Sequence, residues 1–150
     1  MNAGKIIFHA FGDSGASNLR KYFNELRVAD QVTMDCRRAD DANRPAFLFH
    51  LGDVVYNFGE AQYYYDQFYD PFRNYPAPIF AIPGNHDSFV VPSTPPAQER
   101  LKIFHRNFCA DHPVITSEAG SLRRTAMTQP GVYFTLDAPL CASLGYSAMR

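Results

Sequence analysis

Three clusters of side chains in this chain offer ligands for a hard or borderline metal ion. Gly12-Asp13-Ser14-Gly15 supplies a carboxylate, and Gly52-Asp53-Val54-Val55-Tyr56 supplies a carboxylate and a phenol. Gly84-Asn85-His86-Asp87 adds an amide, an imidazole and a further carboxylate. Carboxylate and phenol oxygens suit hard cations, and imidazole suits borderline ones. Two cations about 3.5–4 Å apart can clamp the attacking and leaving oxygens of an in-line displacement at phosphorus. A hydroxide bound to them becomes available near neutral pH, because coordination can lower the pKa of water to about 7. Such a pair needs one anion that bridges both ions, with terminal ligands for each. Asp53, in the middle cluster, is the natural bridge; Asp13 and Tyr56 serve one ion and Asn85 the other. His86, with Asp87 behind it, makes an imidazole–carboxylate pair suited to orienting phosphate or protonating a leaving group.

Each cluster follows a short apolar run, as buried strands require if several loops are to converge on one edge of a sheet. Lys5–Phe11, Ala46–Leu51 and Ile79–Ile82 read as those strands. Leu19, Tyr22, Phe23 and Leu26 recur at helical spacing behind a cap at Ser17 or Asn18, and the helix is expected to fray through Val32–Arg38. Glu60–Tyr69 is predicted to be a helix ended by Pro71, with rings on more than one face. Val90–Pro96 carries three prolines and reads as a loop. Ala97–Phe108 returns to helical periodicity, and Gly131–Leu136 alternates as a later strand. His9 and His50 fall within strands and are expected to be core histidines bonded to backbone; His105 and the Arg123-Arg124 pair are expected in solvent.

In order and spacing, the three clusters resemble the first three motifs of the calcineurin-like metallophosphoesterase superfamily. The usual first motif is D-x-H, and here Gly15 stands in place of the histidine. The coupled pattern of G-D-x-G with G-D-x-x-Y resembles the purple acid phosphatase branch, in which a tyrosinate binds ferric iron. The resemblance implies an α/β fold with a mixed central sheet in a two-layer sandwich. It also implies hydrolysis of a phosphate ester by a metal-bound hydroxide at a binuclear centre. Asp13, Asp53 and Tyr56 would take the iron, and Asp53 with Asn85 a divalent ion (Zn, Mn or Fe). His86 and Asp87 would be the catalytic pair.

The family's two later motifs, V-x-x-H and G-H-x-H, do not occur in this sequence. Residues 1–139 therefore read as the amino-terminal part of such a domain, and residues 140–150 as an aberrant or truncated tail. Codons permitted for Leu140–Arg150, moved two nucleotides along, encode an apolar strand and a polar turn, as a frameshift would leave. Two functions stay open: a metal-dependent phosphoesterase, or a non-catalytic remnant that folds poorly or binds a metal weakly. A nucleotide-binding α/β protein finds no G-x-G-x-x-G or P-loop to support it.

Composition narrows the partners. With 150 residues, 46% hydrophobic and 19% charged, the chain suffices for one domain. A formal net charge of −1 with scattered basic residues argues against nucleic acid. No apolar run approaches the roughly 18 residues of a membrane span, and the N-terminus makes a poor signal peptide. Cys36, Cys109 and Cys141 are odd in number and widely spaced, so free thiols and a cytoplasmic location are expected. The expected partner is a small phosphate-ester substrate.

Overall fold

The structure is a computed structural model that describes residues 5–88, 101–138 and 147–149. Three short strands, β1 (His9–Phe11), β2 (Leu48–His50) and β3 (Ile79–Ala81), form a parallel sheet in the order β1-β2-β3. Cα partners run from His9, Leu48 and Ile79 at one end to Phe11, His50 and Ala81 at the other. All three strands therefore end on the same edge, where the three polar clusters begin. The predicted strands are longer than the observed ones. Backbone bonds continue past β1, with Ala46 N–H donating to Ile7 O at 2.8 Å, and Phe8 stacks on Phe47, but the regular ladder starts at His9.

Helix α1 (Leu19–Arg38) connects β1 to β2 and is unbroken for 20 residues. Asn18 caps it by accepting from Lys21 N–H, and Arg37 and Arg38 oppose the negative end of the helix dipole. The expected fraying beyond Val32 does not occur, because Thr33 and Cys36 are buried against the core. The apolar face that predicted the helix is not the face it buries. Leu19 and Phe23 are exposed, while Glu25, Ala29, Thr33 and Cys36 form the inward stripe. Ala29 and Cys36 belong to the same core cluster as Phe68, Phe72 and Tyr75.

The predicted helix Glu60–Tyr69 is a tight 3₁₀ turn at Ala61–Tyr63 that opens into a π-helical turn at Tyr65–Tyr69. Asp70 N–H reaches back five residues to Tyr65 O at 2.8 Å. Tyr64, Phe68 and Tyr69 are buried, whereas Tyr63 and Tyr65 face outward, as the spread of rings over more than one face implied. Helix α2 (Asn85–Ser88) follows β3, and α3 (Lys102–Phe108) packs Phe104 and Phe108 into the core. The Val90–Pro96 loop and the first residues of the helix predicted at Ala97–Phe108 lie outside the described residues.

The later strand is displaced from its expected place at Gly131–Leu136: β4 is Leu136–Ala138 and pairs antiparallel with β5 (Ser147–Met149). Before it, Gln129 stands beside the sheet. Its side-chain amide accepts from Ala81 N–H and donates to Ala81 O, both at 2.8 Å. Ile82 N–H bonds His50 O across the β2 side, so in the alternating pattern of a strand Ala81 faces the other way. Gln129 thus occupies the place of a neighbouring strand. Arg124, expected in solvent, instead donates to Phe72 O at 3.1 Å and Tyr75 O at 2.5 Å.

Candidate metal centre

Asp13 lies just beyond β1 and Asp53 just beyond β2, and both adopt left-handed backbone, at φ 61° and 54°. Few residues other than glycine are held there, and aspartate is among the better tolerated. The two loops are tied together by Asp13 N–H to Gly52 O at 2.9 Å and Gly15 N–H to Asp53 O at 3.2 Å. The glycines permit this closeness. A Cβ at Gly84 would run into the Asp53 carboxylate, and one at Gly15 into the Tyr56 ring.

The Tyr56 hydroxyl donates to Asp13 Oδ1 and lies 3.3 Å from Asp53 Oδ2. Side-chain oxygens of Asp13, Asp53 and Tyr56, from two loops, therefore come together. Burial, the bond to Asp13 and the charge of Asp53 push the Tyr56 phenol above its ordinary value. A phenolate in that place calls for a strong cation beside it. The His86 backbone N–H donates to Asp53 Oδ1 at 2.9 Å, and its ring packs on the Tyr56 ring with centroids 4.0 Å apart. Its Nδ1 is 2.7 Å from Asn57 O; a carbonyl only accepts, so this nitrogen carries the proton. Asn85, exposed at the start of α2, stands on the same side of the Asp53 loop through its neighbours Gly84 and His86. Among the described residues, no group of three or more His, Cys, Asp and Glu side chains converges.

Asp87 finds its hydrogen-bond partners in the backbone. Its carboxylate turns inward and accepts from Val54 N–H at 3.0 Å, Val55 N–H at 3.1 Å and Gly84 N–H at 2.8 Å. Three backbone donors at the β2 and β3 loops are otherwise without partners there, which is why a carboxylate can be buried at this position. Sequence reading had no access to this role, since G-N-H-D looks the same whichever way the aspartate points.

Two further residues hold the loops in position, and of these Gln67 was not foreseen. Gln67, buried in the π-helical turn, accepts from Ala16 N–H and Tyr56 N–H and donates to Tyr56 O, each at 2.8 Å. It locks the tyrosine loop to the Asp13 loop. His50 is fully buried; its Nδ1 accepts from Gly52 N–H at 3.2 Å, leaving Nε2–H to meet Ser14 Oγ at 2.8 Å. Burial pushes its pKa down to about 4. The expected backbone bond is present at His50, whereas His9 bonds two side chains, Tyr75 and Asp35. His105 is exposed, and Cys36 and Cys109 are free thiols, with Cys141 outside the described residues.

No helix among the described residues is long and apolar enough to cross a membrane. No curated protein and no solved structure matches the chain. The family model for calcineurin-like phosphoesterase matches residues 8–133, a span that holds all three loops and most of the chain, and the protein belongs to that family.

Proposed function

We propose that this protein hydrolyses small phosphate esters at a binuclear metal centre of the purple acid phosphatase type. The observation that carries the reading is the convergence of the Asp13, Asp53 and Tyr56 oxygens. Two carboxylates that crowd a phenol form a negative, oxygen-only donor set, which fits a hard cation such as ferric iron. Asp13, Asp53 and Tyr56 would hold it; Asp53 and Asn85 would hold a divalent partner. Bound there, the ions supply Lewis acidity toward water and phosphate.

The chain's own residues prepare the rest. Gln67 and Asp87 fix the loops so that the two aspartates need no rearrangement. His86 keeps its Nδ1 proton on Asn57 O, which aims Nε2 as the nitrogen that exchanges a proton with a leaving group. Asp87 acts through the backbone it holds, as a positioning residue.

Iron loading of the purified chain tests this, read by metal analysis, visible absorption and p-nitrophenyl phosphate hydrolysis. The expected result is retained iron with a visible phenolate-to-iron band that Tyr56→Phe bleaches, and loss of metal and turnover in Asp53→Asn. His86→Ala should lower turnover by about 10²–10⁴-fold while leaving metal content in place. A chain that retains no metal, or a band that survives Tyr56→Phe, overturns the reading and favours the weakly binding remnant.

A further inference from the structure

Four arginines gather at the end of the sheet away from the three loops. An open groove of about 790 Å³ borders the last turn of α1 at Arg37 and the start of β3 at Ile79, and residues 122–128 form its far wall. Arg37, Arg73, Arg123 and Arg124 all line it, and among the described residues that do so there is no Asp or Glu. The whole chain has a formal net charge of −1, so this is a local concentration of positive charge, which a concave wall focuses. Three of the four are held by the backbone of the turn beside the groove. Arg124 donates to Phe72 O and Tyr75 O, Arg37 to Asn74 O at 3.0 Å, and Arg73 to Asp70 O. Arg73 also pairs with the Asp70 carboxylate at 3.2 Å, and that carboxylate accepts from the Tyr22 hydroxyl as well. These bonds use only part of the five-donor fork of Arg37 and of Arg73. Arg123 is exposed, and its guanidinium has no partner among the described residues. Beside it Leu122 is 89% exposed, and the exposed Pro76 and Pro78 border the same groove.

We propose that this groove is a docking site for an extended acidic peptide segment of a partner protein, one that carries an apolar side chain between its carboxylates. The charge of the lining selects an anion, and guanidinium forks match carboxylates in paired hydrogen bonds. The apolar share of the groove selects the rest of the ligand. A bare phosphate or a nucleic-acid backbone would leave Leu122, Pro76 and Pro78 in water, whereas a peptide leucine covers them. The groove lies at the opposite end of the strands from Asp13 and Asp53, so the assignment stands apart from the phosphoesterase reading and a docked segment leaves those loops open.

A fluorescein-labelled peptide of sequence EELEELEE is the probe, titrated into the full purified chain without added metal and followed by fluorescence anisotropy at about 0.1 M ionic strength. Saturable binding is expected, and it should weaken as salt is added. Serine in place of both peptide leucines keeps the charge and should weaken binding about fivefold. Arg123→Glu should weaken it about tenfold and Leu122→Ser about threefold. Arg20→Glu makes the same charge change about 25 Å along α1 from Arg37, beyond the screening length of about 10 Å, and should change binding by less than about twofold. The proposal fails if the peptide does not bind, if the serine peptide binds equally well, or if Arg20→Glu weakens binding as much as Arg123→Glu. Displacement of the peptide by tripolyphosphate or duplex DNA at lower concentration than by unlabelled peptide overturns the peptide assignment in favour of a phosphate or a nucleic acid. The serine and competition arms need no variant, so a substitution that disturbs the fold does not blunt the test.

Discussion

Asp87 and Glu25 are both 5% exposed, and burial raises the pKa of each, yet they occupy opposite kinds of surroundings. Asp87 sits between the β2 and β3 loops and has three backbone N–H donors. Glu25, on the inward stripe of α1, has no backbone donor, and only the Ser14 hydroxyl acts against its burial. The contrast separates two uses of a buried acid. Where backbone donors surround it, the carboxylate is held as part of the structure; where they are missing, burial favours the neutral acid.

The largest expected effect follows from removing the satisfied acid. Asp87→Ala strands the N–H groups of Val54, Val55 and Gly84, and should cost about 3 kcal/mol or more in urea unfolding. A cost under about 1 kcal/mol would mean that water replaces the carboxylate and that the region is looser than its bonds suggest. Gln67→Leu comes next, at about 2 kcal/mol, because it leaves Ala16 N–H and both backbone groups of Tyr56 without their partner. If it also lowers iron retention in proportion, the clamp on the tyrosine loop matters for the site as well as for the fold.

The smaller effect has the opposite sign. Glu25→Met should stabilise the chain by about 1 kcal/mol near pH 7, since it replaces a buried polar group that has no backbone donor with an apolar one of similar size. Destabilisation instead would show that the carboxyl already has a partner and would erase the contrast with Asp87. The pH profile sharpens this. Glu25 has a folded pKa of about 9, above its ordinary value, so its favourable contribution is complete below about 4.5 and is lost as pH rises toward 9. His50, pushed down to about 4, takes up a proton more readily when unfolded, so stability is lost as pH falls from about 6.5. The Met variant should keep the acid limb and lose the alkaline slope, which is at most about 1.4 kcal/mol per pH unit.

Much of the site was legible because its ingredients are local. An apolar run followed by Gly-Asp or Gly-Asn states both a strand and a loop residue, and three such runs in parallel must bring Asp13, Asp53 and Asn85 to one edge. The core face of α1 was not legible. Leu19 and Phe23 set up a conspicuous apolar period, but the face that is buried carries the small residues Ala29 and Cys36, which join the cluster of Phe68, Phe72 and Tyr75. Gln67 and Gln129 escaped notice for another reason. A glutamine that satisfies backbone groups at a distance leaves no periodic trace, since its partners are main-chain atoms common to every residue. The direction of the Asp87 carboxylate was not legible from its motif, because two of its three donors, Val54 and Val55, lie more than 30 residues away.

The Gln129 side chain also bears on how the protein behaves in a crowded solution. A strand with unmet N–H and C=O groups along its border is a template on which other chains can add, the first step of edge-to-edge aggregation. At β3 the outward N–H and C=O of Ala81 are both taken by one amide. Its nitrogen donates in addition to Gly131 O at 2.9 Å, which anchors it from behind. A single side chain thus fills, at Ala81, the place an added strand would need, and a substitution at Gln129 would free both of those backbone groups at once.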